Sequence, residues 1–247
     1  MKIIAPVTFA LLATAQAVSA QTAPEPAPTP VVTLVNVPMP WYAPPALIVS
    51  KMRATVQQYE KLPGLAFKMY SLTQEGRQFG GIYHWQGRAT AEAWFSAAWF
   101  ERVQKERGVA GQVTYFEAPV TVSNQAPAAL GSSDSSTVAT LVLLPAQAGV
   151  TRQRLAEEFR AAVPTYQKVP GLLVKHFVID ADGRFGGIYL WKDKASAEQW
   201  FSAAWRQRAR QTYGAEPAMA WFDTPILTPS VLVENRLAAA KPATAHP

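Results

Sequence analysis

GRFGGIYLWKDKASAEQWFSAAW, residues 183–205, is a near copy of GRQFGGIYHWQGRATAEAWFSAAW, residues 76–99, in the same chain of 247 residues. The earlier copy carries one extra residue, Gln78, before its Phe-Gly-Gly. The flanks repeat as well, because a Pro-Gly-Leu precedes each copy and a Phe-x-x-Pro follows each copy. The offset of about 107 residues matches the length of a small domain and is far longer than a solenoid repeat. The sequence therefore predicts a tandem duplication of one domain.

The amino terminus has the pattern of a secretory signal. Lys2 precedes a short apolar core, Ile3–Leu12, and small residues lead to Ala20, after which the composition changes sharply. We therefore expect cleavage after Ala20 and a periplasmic or secreted location, although a flexible apolar leader on a cytosolic protein is an alternative. The predicted organisation is a signal peptide at 1–20, an Ala/Pro-rich spacer at 21–30, a first domain at 31–122, a linker at 123–136, a second domain at 137–230 and a C-terminal tail at 231–247.

Composition excludes several classes of function. The chain has no cysteine, so thiol catalysis and thiolate metal sites are impossible. The net charge of +6 comes from basic residues spread along predicted helices, which is typical of a solvated surface and not of a nucleic-acid-binding stripe. Outside the first twenty residues no apolar run reaches about 18–20 residues, so we expect no membrane span.

Each half of the chain reads strand, helix, strand, strand, helix, strand. Apolar residues at helical spacing cover Pro45–Tyr59 and Arg152–Tyr166. Thr151 is the expected N-cap of the second of these helices, and Pro164 is expected to kink it or end it early. This order of elements is the ferredoxin-like motif, an α+β fold with helices on one face of an antiparallel sheet. The last strand of each half is expected near Val113–Glu117 and Met219–Asp223.

The predicted strands are apolar on both faces, so the face without helices must also be buried. The same face of the other copy is the nearest available cover. We therefore expect two tandem ferredoxin-like (βαββαβ) domains that pack sheet to sheet as an intramolecular dimeric α+β barrel. The chain would then be a pseudo-dimer by itself and could be monomeric.

The repeated residues resemble a known family. A Pro-Gly-Leu turn, a strand with a central lysine, Gly-Gly-Ile-Tyr, a Ser-Ala-Glu helix start and a closing Phe-Asp-x-Pro are similar to the YdhR-type monooxygenases of the dimeric α+β barrel superfamily. The likeness covers about 31–122 and 137–228. It implies the barrel fold and, by analogy with some relatives, cofactor-independent oxygenation of polyketide-like aromatics; other relatives bind haem. The signal peptide and the fusion of two copies depart from the family pattern of one-domain chains that form homodimers.

Strand alternation divides the candidate site residues between two faces. We expect the aliphatic positions Ile82 and Ile188 to pack under the helices, and the Tyr-Trp pairs beside them to look into the space between the sheets. Lys68 and Lys175 occupy equivalent mid-strand positions on the side of the rings. The predicted catalytic residues are Lys68, Tyr83, Lys175 and Tyr189, and the predicted substrate-binding residues are Tyr70, Trp85, Phe177, Trp191, Arg77 and Arg184.

These residues would line an aromatic cavity between the sheets that suits a planar phenol- or quinone-like ligand. A lysine would stabilise a phenolate, which can react directly with dioxygen, and the tyrosines would orient the ring oxygens. The leading hypothesis is therefore a cofactor-independent monooxygenase for a small aromatic substrate, with no metal. An alternative is a non-catalytic extracytoplasmic binding protein for a small hydrophobic molecule.

Other interpretations of the same residues stay open. Aromatic side chains between packed sheets are often core filler, and a lysine can extend to the rim of a barrel. Arg77 and Arg184 either guard a cavity mouth or are exposed turn residues. Haem binding is a third alternative and would need a histidine as axial ligand. Strand alternation places His176 on the helix side, and His84 and His176 each replace an apolar residue of the other copy, which is typical of core positions.

Overall fold

The structure is a computed structural model that describes residues 28–75, 77–125 and 135–228. The predicted signal peptide and tail, and most of the predicted spacer and linker, lie outside these residues. Among the described helices, none is both long enough and apolar enough to cross a membrane.

Both halves have the order of strands and helical connections that the sequence predicts, an α+β ferredoxin-like arrangement, but the second helical connection of each half consists of two helices instead of one. The first half consists of β1 Val31–Pro38, α1 Pro45–Arg53, α2 Val56–Glu60, β2 Leu65–Thr73, β3 Gln78–Trp85, α3 Arg88–Trp94, α4 Ala97–Arg107 and β4 Gln112–Ser123. The second half consists of β5 Val138–Leu144, α5 Arg152–Tyr166, β6 Leu172–Ile179, β7 Phe185–Trp191, α6 Lys194–Trp200, α7 Ala203–Tyr213 and β8 Ala218–Leu227.

The first helical connection differs between the halves in a way that the sequence did not predict. The helix expected over Pro45–Tyr59 is broken at Ala54 and Thr55 into α1 and α2. Thr55 donates its hydroxyl to the carbonyl of Met52 at 2.8 Å and so competes with the helical backbone. In contrast, α5 continues through Pro164 to Tyr166, so the expected early end was wrong. Thr151 caps α5 as predicted, because its side chain accepts a hydrogen bond from the Arg154 backbone N–H.

The eight strands form one closed barrel in the order β1-β3-β2-β8-β5-β7-β6-β4. Each half contributes four neighbouring antiparallel strands, and the two sheets join at their edges through the pairs β2–β8 and β4–β6. The helices lie outside the barrel, against the outer face of the sheet of their own half. The described barrel therefore has no open sheet edge.

Two prolines mark the places where a strand passes from its own sheet to the other sheet. β4 and β8 extend well beyond the predicted Val113–Glu117 and Met219–Asp223, to Ser123 and Leu227. In β4 the register shifts between Glu117 and Val120, around Pro119. In β8 it shifts between Asp223 and Ile226, around Pro225. Proline cannot donate a ladder hydrogen bond and is tolerated at such bulges, which bend the strand. The repeated Phe-x-x-Pro therefore corresponds to the junctions between the two sheets.

The structure reverses the predicted assignment of the two strand faces. The barrel interior is filled by buried, mostly aliphatic side chains that include Ile82, Ile188 and Leu190. The Tyr-Trp pairs Tyr83–Trp85 and Tyr189–Trp191 instead lie under the helices. The interior of an eight-stranded barrel is just wide enough to be filled by side chains, and here aliphatic residues with a few phenylalanines fill it. The space between sheet and helices accepts the larger rings, because α3, α4, α6 and α7 supply matching aromatic partners. The proposed cavity between the sheets was therefore wrong.

Candidate functional site

Each half contains one cavity between its sheet and its helices. The first cavity has a volume of about 400 Å³ and is lined by β1, β2, β3 and the helices of the first half. The second cavity has a volume of about 390 Å³ and is lined by β5, β6, β7, α5 and α7. The lining residues of the two cavities occupy equivalent positions in the repeat. The chain therefore holds two copies of one site.

Lys68 lies at the floor of the first cavity inside a cage of three tyrosine rings. Its Nζ atom is 3.2 Å from the ring centroid of Tyr59, 3.6 Å from that of Tyr70 and 4.6 Å from that of Tyr83. Tyr83 is the direct neighbour of Lys68 across β2 and β3, whereas Tyr59 reaches the lysine from α2. The backbone of Lys68 is fixed as well, since its N–H donates to the hydroxyl of Thr228 at 2.8 Å.

Lys175 occupies the same position in the second cavity, and its cage has nearly the same dimensions. The Nζ atom of Lys175 lies 3.2 Å from the ring centroid of Tyr166, 3.7 Å from that of Phe177 and 4.7 Å from that of Tyr189. Phe177 takes the place of Tyr70, so one ring of this cage carries no hydroxyl. A cation placed against several ring faces is stabilised by their negative electrostatic potential.

Burial lowers the pKa of both lysines well below the usual value of 10.5. Desolvation is the cause in each half, and no carboxylate of the described residues offsets it. A larger fraction of each amine is therefore unprotonated near neutral pH than in an exposed lysine. An amine in this state can accept a proton from a ligand, and the aromatic cage then stabilises the resulting ammonium.

The tyrosines of each cage influence one another in pairs. Burial raises the pKa of Tyr59 and of Tyr166, and interaction with the hydroxyl of Tyr83 or Tyr189 lowers it by a smaller amount. Burial raises the pKa of all four phenols, so they stay protonated and remain able to donate a hydrogen bond to a ligand oxygen. The structure thus brings together the predicted Lys68, Tyr83 and Tyr70 in one cavity, and Lys175, Tyr189 and Phe177 in the other.

The sequence analysis missed Tyr59 and Tyr166 as site residues, although their rings lie nearest to the lysines. A signal was present, because both tyrosines begin the repeated Tyr-x-Lys-x-Pro-Gly-Leu at 59–65 and 166–172. Each was interpreted only as an apolar position of a helix. Their role depends on the approach of a helix to the sheet, which strand alternation cannot reveal.

The repeated Gly-Gly provides space for the lysine cage. A side chain at Gly80 or Gly186 would collide with a backbone carbonyl of the neighbouring first strand of its half. A Cβ atom at Gly187 would lie 2.7 Å from Cε2 of Tyr189 and 2.9 Å from Cε of Lys175. At Gly81 the corresponding distances to Tyr83 and Lys68 are both 3.0 Å. The second glycine of each pair therefore provides the space that the lysine and the tyrosine occupy.

Four predicted substrate-binding residues lie outside the described linings of the two cavities. Trp85 and Trp191 are fully buried, and their indole N–H groups donate to the hydroxyls of Thr33 and Thr140 at 3.0 and 3.1 Å. Each of these indole rings stacks against the tyrosine two residues earlier, so both tryptophans support the cages from behind.

The two predicted arginines are engaged elsewhere on the surface. Arg77 donates to the carbonyl of Ala43 at 3.4 Å. Arg184 forms an ion pair with Asp180 at 2.7 Å. In the described part of the chain, neither side chain contributes to the lining of the two lysine cavities. Their placement favours the interpretation as turn residues.

His84 and His176 lie inside the barrel and away from both cavities. The rings of His84 and His176 are in contact, with centroids 4.5 Å apart, and His176 Nδ1 lies 2.9 Å from the hydroxyl of Thr121. The expectation that His176 points to the helix side was therefore wrong. No histidine is among the described residues that line either cavity, and no cluster of three or more metal-binding side chains occurs in the described residues.

Solved structures resemble this chain, although no protein family and no curated protein sequence matches it. A proposed monooxygenase from Fusobacterium nucleatum subsp. nucleatum is 12% identical over 82% of this chain and 95% of its own, with a TM-score of 0.61. Another from Lactobacillus acidophilus NCFM is 9% identical over 81% and 96%, with a TM-score of 0.56. An anthrone oxidase-like protein is 14% identical over 81% and 92%, with a TM-score of 0.50. These alignments span both halves, and at such low identity they establish the fold alone.

Proposed function

We propose that the chain is a cofactor-independent monooxygenase that oxidises a small phenol- or quinone-like aromatic in each of its two cavities. The observation that carries the proposal is the buried lysine amine in an aromatic cage at the floor of both cavities. The names of the three structural neighbours, two proposed monooxygenases and an anthrone oxidase-like protein, support this class of reaction. We further propose that the chain is a fused pair of YdhR-type domains that acts outside the cytoplasm, as its first twenty residues predict.

The flat rings around each lysine suit an aromatic ligand, and the protonated tyrosines would orient its oxygen atom. The neutral amine of Lys68 or Lys175 takes the proton of the phenol or enol, and the cage holds the ammonium beside the new phenolate. Developing negative charge is thereby stabilised beside a lysine that is almost fully buried. The residues act as base, orienting donors and electrostatic support.

An anthrone-type substrate shows how the reaction balances. The enolate carbon donates electrons to dioxygen and forms a carbon–oxygen bond, and the resulting peroxide receives the proton from the lysine. Loss of the remaining C–H proton and cleavage of the O–O bond then give a carbonyl and one water. One oxygen atom of dioxygen enters the product and the other leaves as water, so the methylene is oxidised to a ketone and dioxygen is fully reduced.

Oxygen uptake with anthrone and with hydroquinone tests the proposal. With ¹⁸O₂ and anthrone, we expect one labelled oxygen atom in each quinone formed. The double variant Lys68→Met/Lys175→Met should reduce the rate by at least about 100-fold, since a positioned base commonly contributes that much. The matched control Lys105→Met, an exposed lysine on α4, should retain the wild-type rate.

Two results would contradict the proposal. The first is oxygen uptake that survives in the double lysine variant. The second is a protein that binds these aromatics and returns them unchanged, which would favour the alternative of an extracytoplasmic binding protein.

A further inference from the structure

The two cavities share their floor but differ in the charges at their mouth. Apart from Lys68 at the floor, three basic side chains and one acidic side chain line the first cavity: Lys51, Arg102, Arg107 and Glu106. Apart from Lys175, one side chain of each sign lines the second: Arg208 and Glu158. Arg102 and Arg208 are equivalent in the repeat, whereas Lys51 is replaced by Glu158 and Arg107 by Tyr213. The mouth of the first cavity therefore carries two more positive charges than the mouth of the second.

These mouth charges act on the cavities themselves. The positive charge of Arg102 lowers the pKa of the Tyr59 phenol, although desolvation has the larger and opposite effect. In the second half, burial first and the carboxylate of Glu158 second raise the pKa of Tyr213. Glu158 pairs with Arg154 at 3.0 Å. Lys51 and Arg102 have no carboxylate within ion-pair distance in the described part of the chain. The field at the first cavity is thus positive and largely uncompensated.

A polar pair inside the first cavity is absent from the second. The hydroxyls of Thr55 and Tyr70 are hydrogen-bonded at 2.8 Å beside Lys68. The equivalent positions are Ala162 and Phe177, which have no hydroxyl, and both line the second cavity. The first cavity is therefore more polar at its mouth and within, and the second is more apolar in both places.

We infer that the first cavity takes an aromatic molecule that carries a carboxylate or a similar anionic group, whereas the second takes a neutral aromatic. The ring would lie over the lysine cage in both halves, and the anionic group would face Lys51, Arg102 and Arg107. This inference rests on the proposed function only in placing an aromatic ligand in these cavities. It concerns binding and does not depend on the oxidation step.

A matched pair of fluorescent phenols tests the inference: 6-hydroxy-2-naphthoate, which is anionic at neutral pH, and its neutral methyl ester. Titrations of the full chain without oxygen should give two unequal naphthoate affinities, about tenfold apart, and two similar ester affinities. Lys51→Glu, which introduces the residue of the second half, should remove the tighter naphthoate site and leave ester binding unchanged. Glu158→Lys should create a second tight naphthoate site. High salt should shrink the difference, because the mouth residues are exposed.

Lys105→Glu is the matched control, since it makes the same charge change on α4 at a position outside the described lining of the first cavity. Equal weakening of naphthoate binding by Lys51→Glu and Lys105→Glu would overturn the inference, as would equal naphthoate affinities at both sites. If neither probe binds, both the inference and the proposed function are overturned. Selective naphthoate binding without any oxygen uptake would leave the inference standing and refute the monooxygenase alone.

Discussion

The two halves of this chain build the same lysine cage and then surround it with different residues. The distances from Nζ to the three ring centroids agree between the halves within about 0.1 Å. Around this floor the helices differ, because the first half breaks its first helix at Thr55 whereas α5 is continuous. The charged residues at the mouth differ as well. The comparison indicates that the shared lysine cage serves the same chemical step in both cavities, whereas the different residues at the two mouths suit two different ligands.

The largest effect is expected when the lysine of one cage is replaced and the other cage is left intact. If both halves catalyse the same step, Lys68→Met and Lys175→Met should each remove the turnover of one cavity, about half of the total with a saturating neutral substrate. Oxygen uptake by each single variant measures this share. A single variant that alone abolishes turnover would assign catalysis to one half and break the equivalence. Both variants should resist urea at least as well as the wild type, because methionine needs no desolvation of an amine.

The second glycine of each Gly-Gly should show unequal sensitivity in the two halves. Gly187→Ala is expected to destabilise the protein by about 1–3 kcal/mol, because its methyl group would crowd Tyr189 and Lys175. Gly81→Ala should cost somewhat less, since its contacts are longer. Urea unfolding of the two variants measures both costs. If Gly81→Ala lowers the free energy of unfolding as much as Gly187→Ala or more, the second cage is no more closely packed around its glycine than the first.

The histidine pair should make stability depend on pH through the second half. Burial, with a smaller effect of His84, lowers the pKa of His176 well below 6.5. The unfolded chain therefore binds a proton first, and stability should be full above about pH 6.5 and fall by up to about 1.4 kcal/mol per pH unit below it. His176→Met, which introduces the residue of the first half, should flatten this dependence. Unfolding free energies at several pH values measure the slope, and an unchanged slope would contradict the assignment.

The smallest effect is expected from the hydroxyl pair of the first cavity. Tyr70→Phe and Thr55→Ala should each cost about 1 kcal/mol, because each removes the hydrogen bond between these two hydroxyls. The double variant, which reproduces Ala162 and Phe177, should cost about 1 kcal/mol less than the sum of the two. A double-mutant cycle in urea measures this coupling. Additive costs would show that the two hydroxyls act independently.

The sequence predicted the order of elements but assigned the wrong face to the rings. The repeat, the Pro-Gly-Leu turns and the period of the apolar residues are local signals, and they sufficed for the ferredoxin-like halves. Alternation alone shows that Tyr83 and Trp85 share a side, but it does not show which side. That choice depends on the width of the barrel and on the rings that α3 and α4 supply. Neither quantity is local in sequence.

Several residues of the candidate site were predicted correctly, but the cavity was predicted on the wrong side of the sheet. Lys68, Tyr83 and Tyr70 do meet in one cavity, because neighbouring positions of β2 and β3 remain neighbours on either face. Arg77 and Arg184 were included from their repeated position beside Phe-Gly-Gly, although a conserved spacing between two copies also arises from a shared turn. The extensions of β4 and β8 were not predicted, because a proline usually lies at the end of a strand, whereas Pro119 and Pro225 each mark a bulge before pairing with the other half.

Joining both halves in one chain has a consequence for how such a barrel can change over time. In an assembly of two identical subunits, any new side chain enters both pockets at once, so neither pocket can specialise alone. Here each half is encoded separately while β2–β8 and β4–β6 keep the halves together. A substitution can therefore alter one pocket and leave its twin as a working copy, which is the freedom that Lys51 and Glu158 illustrate.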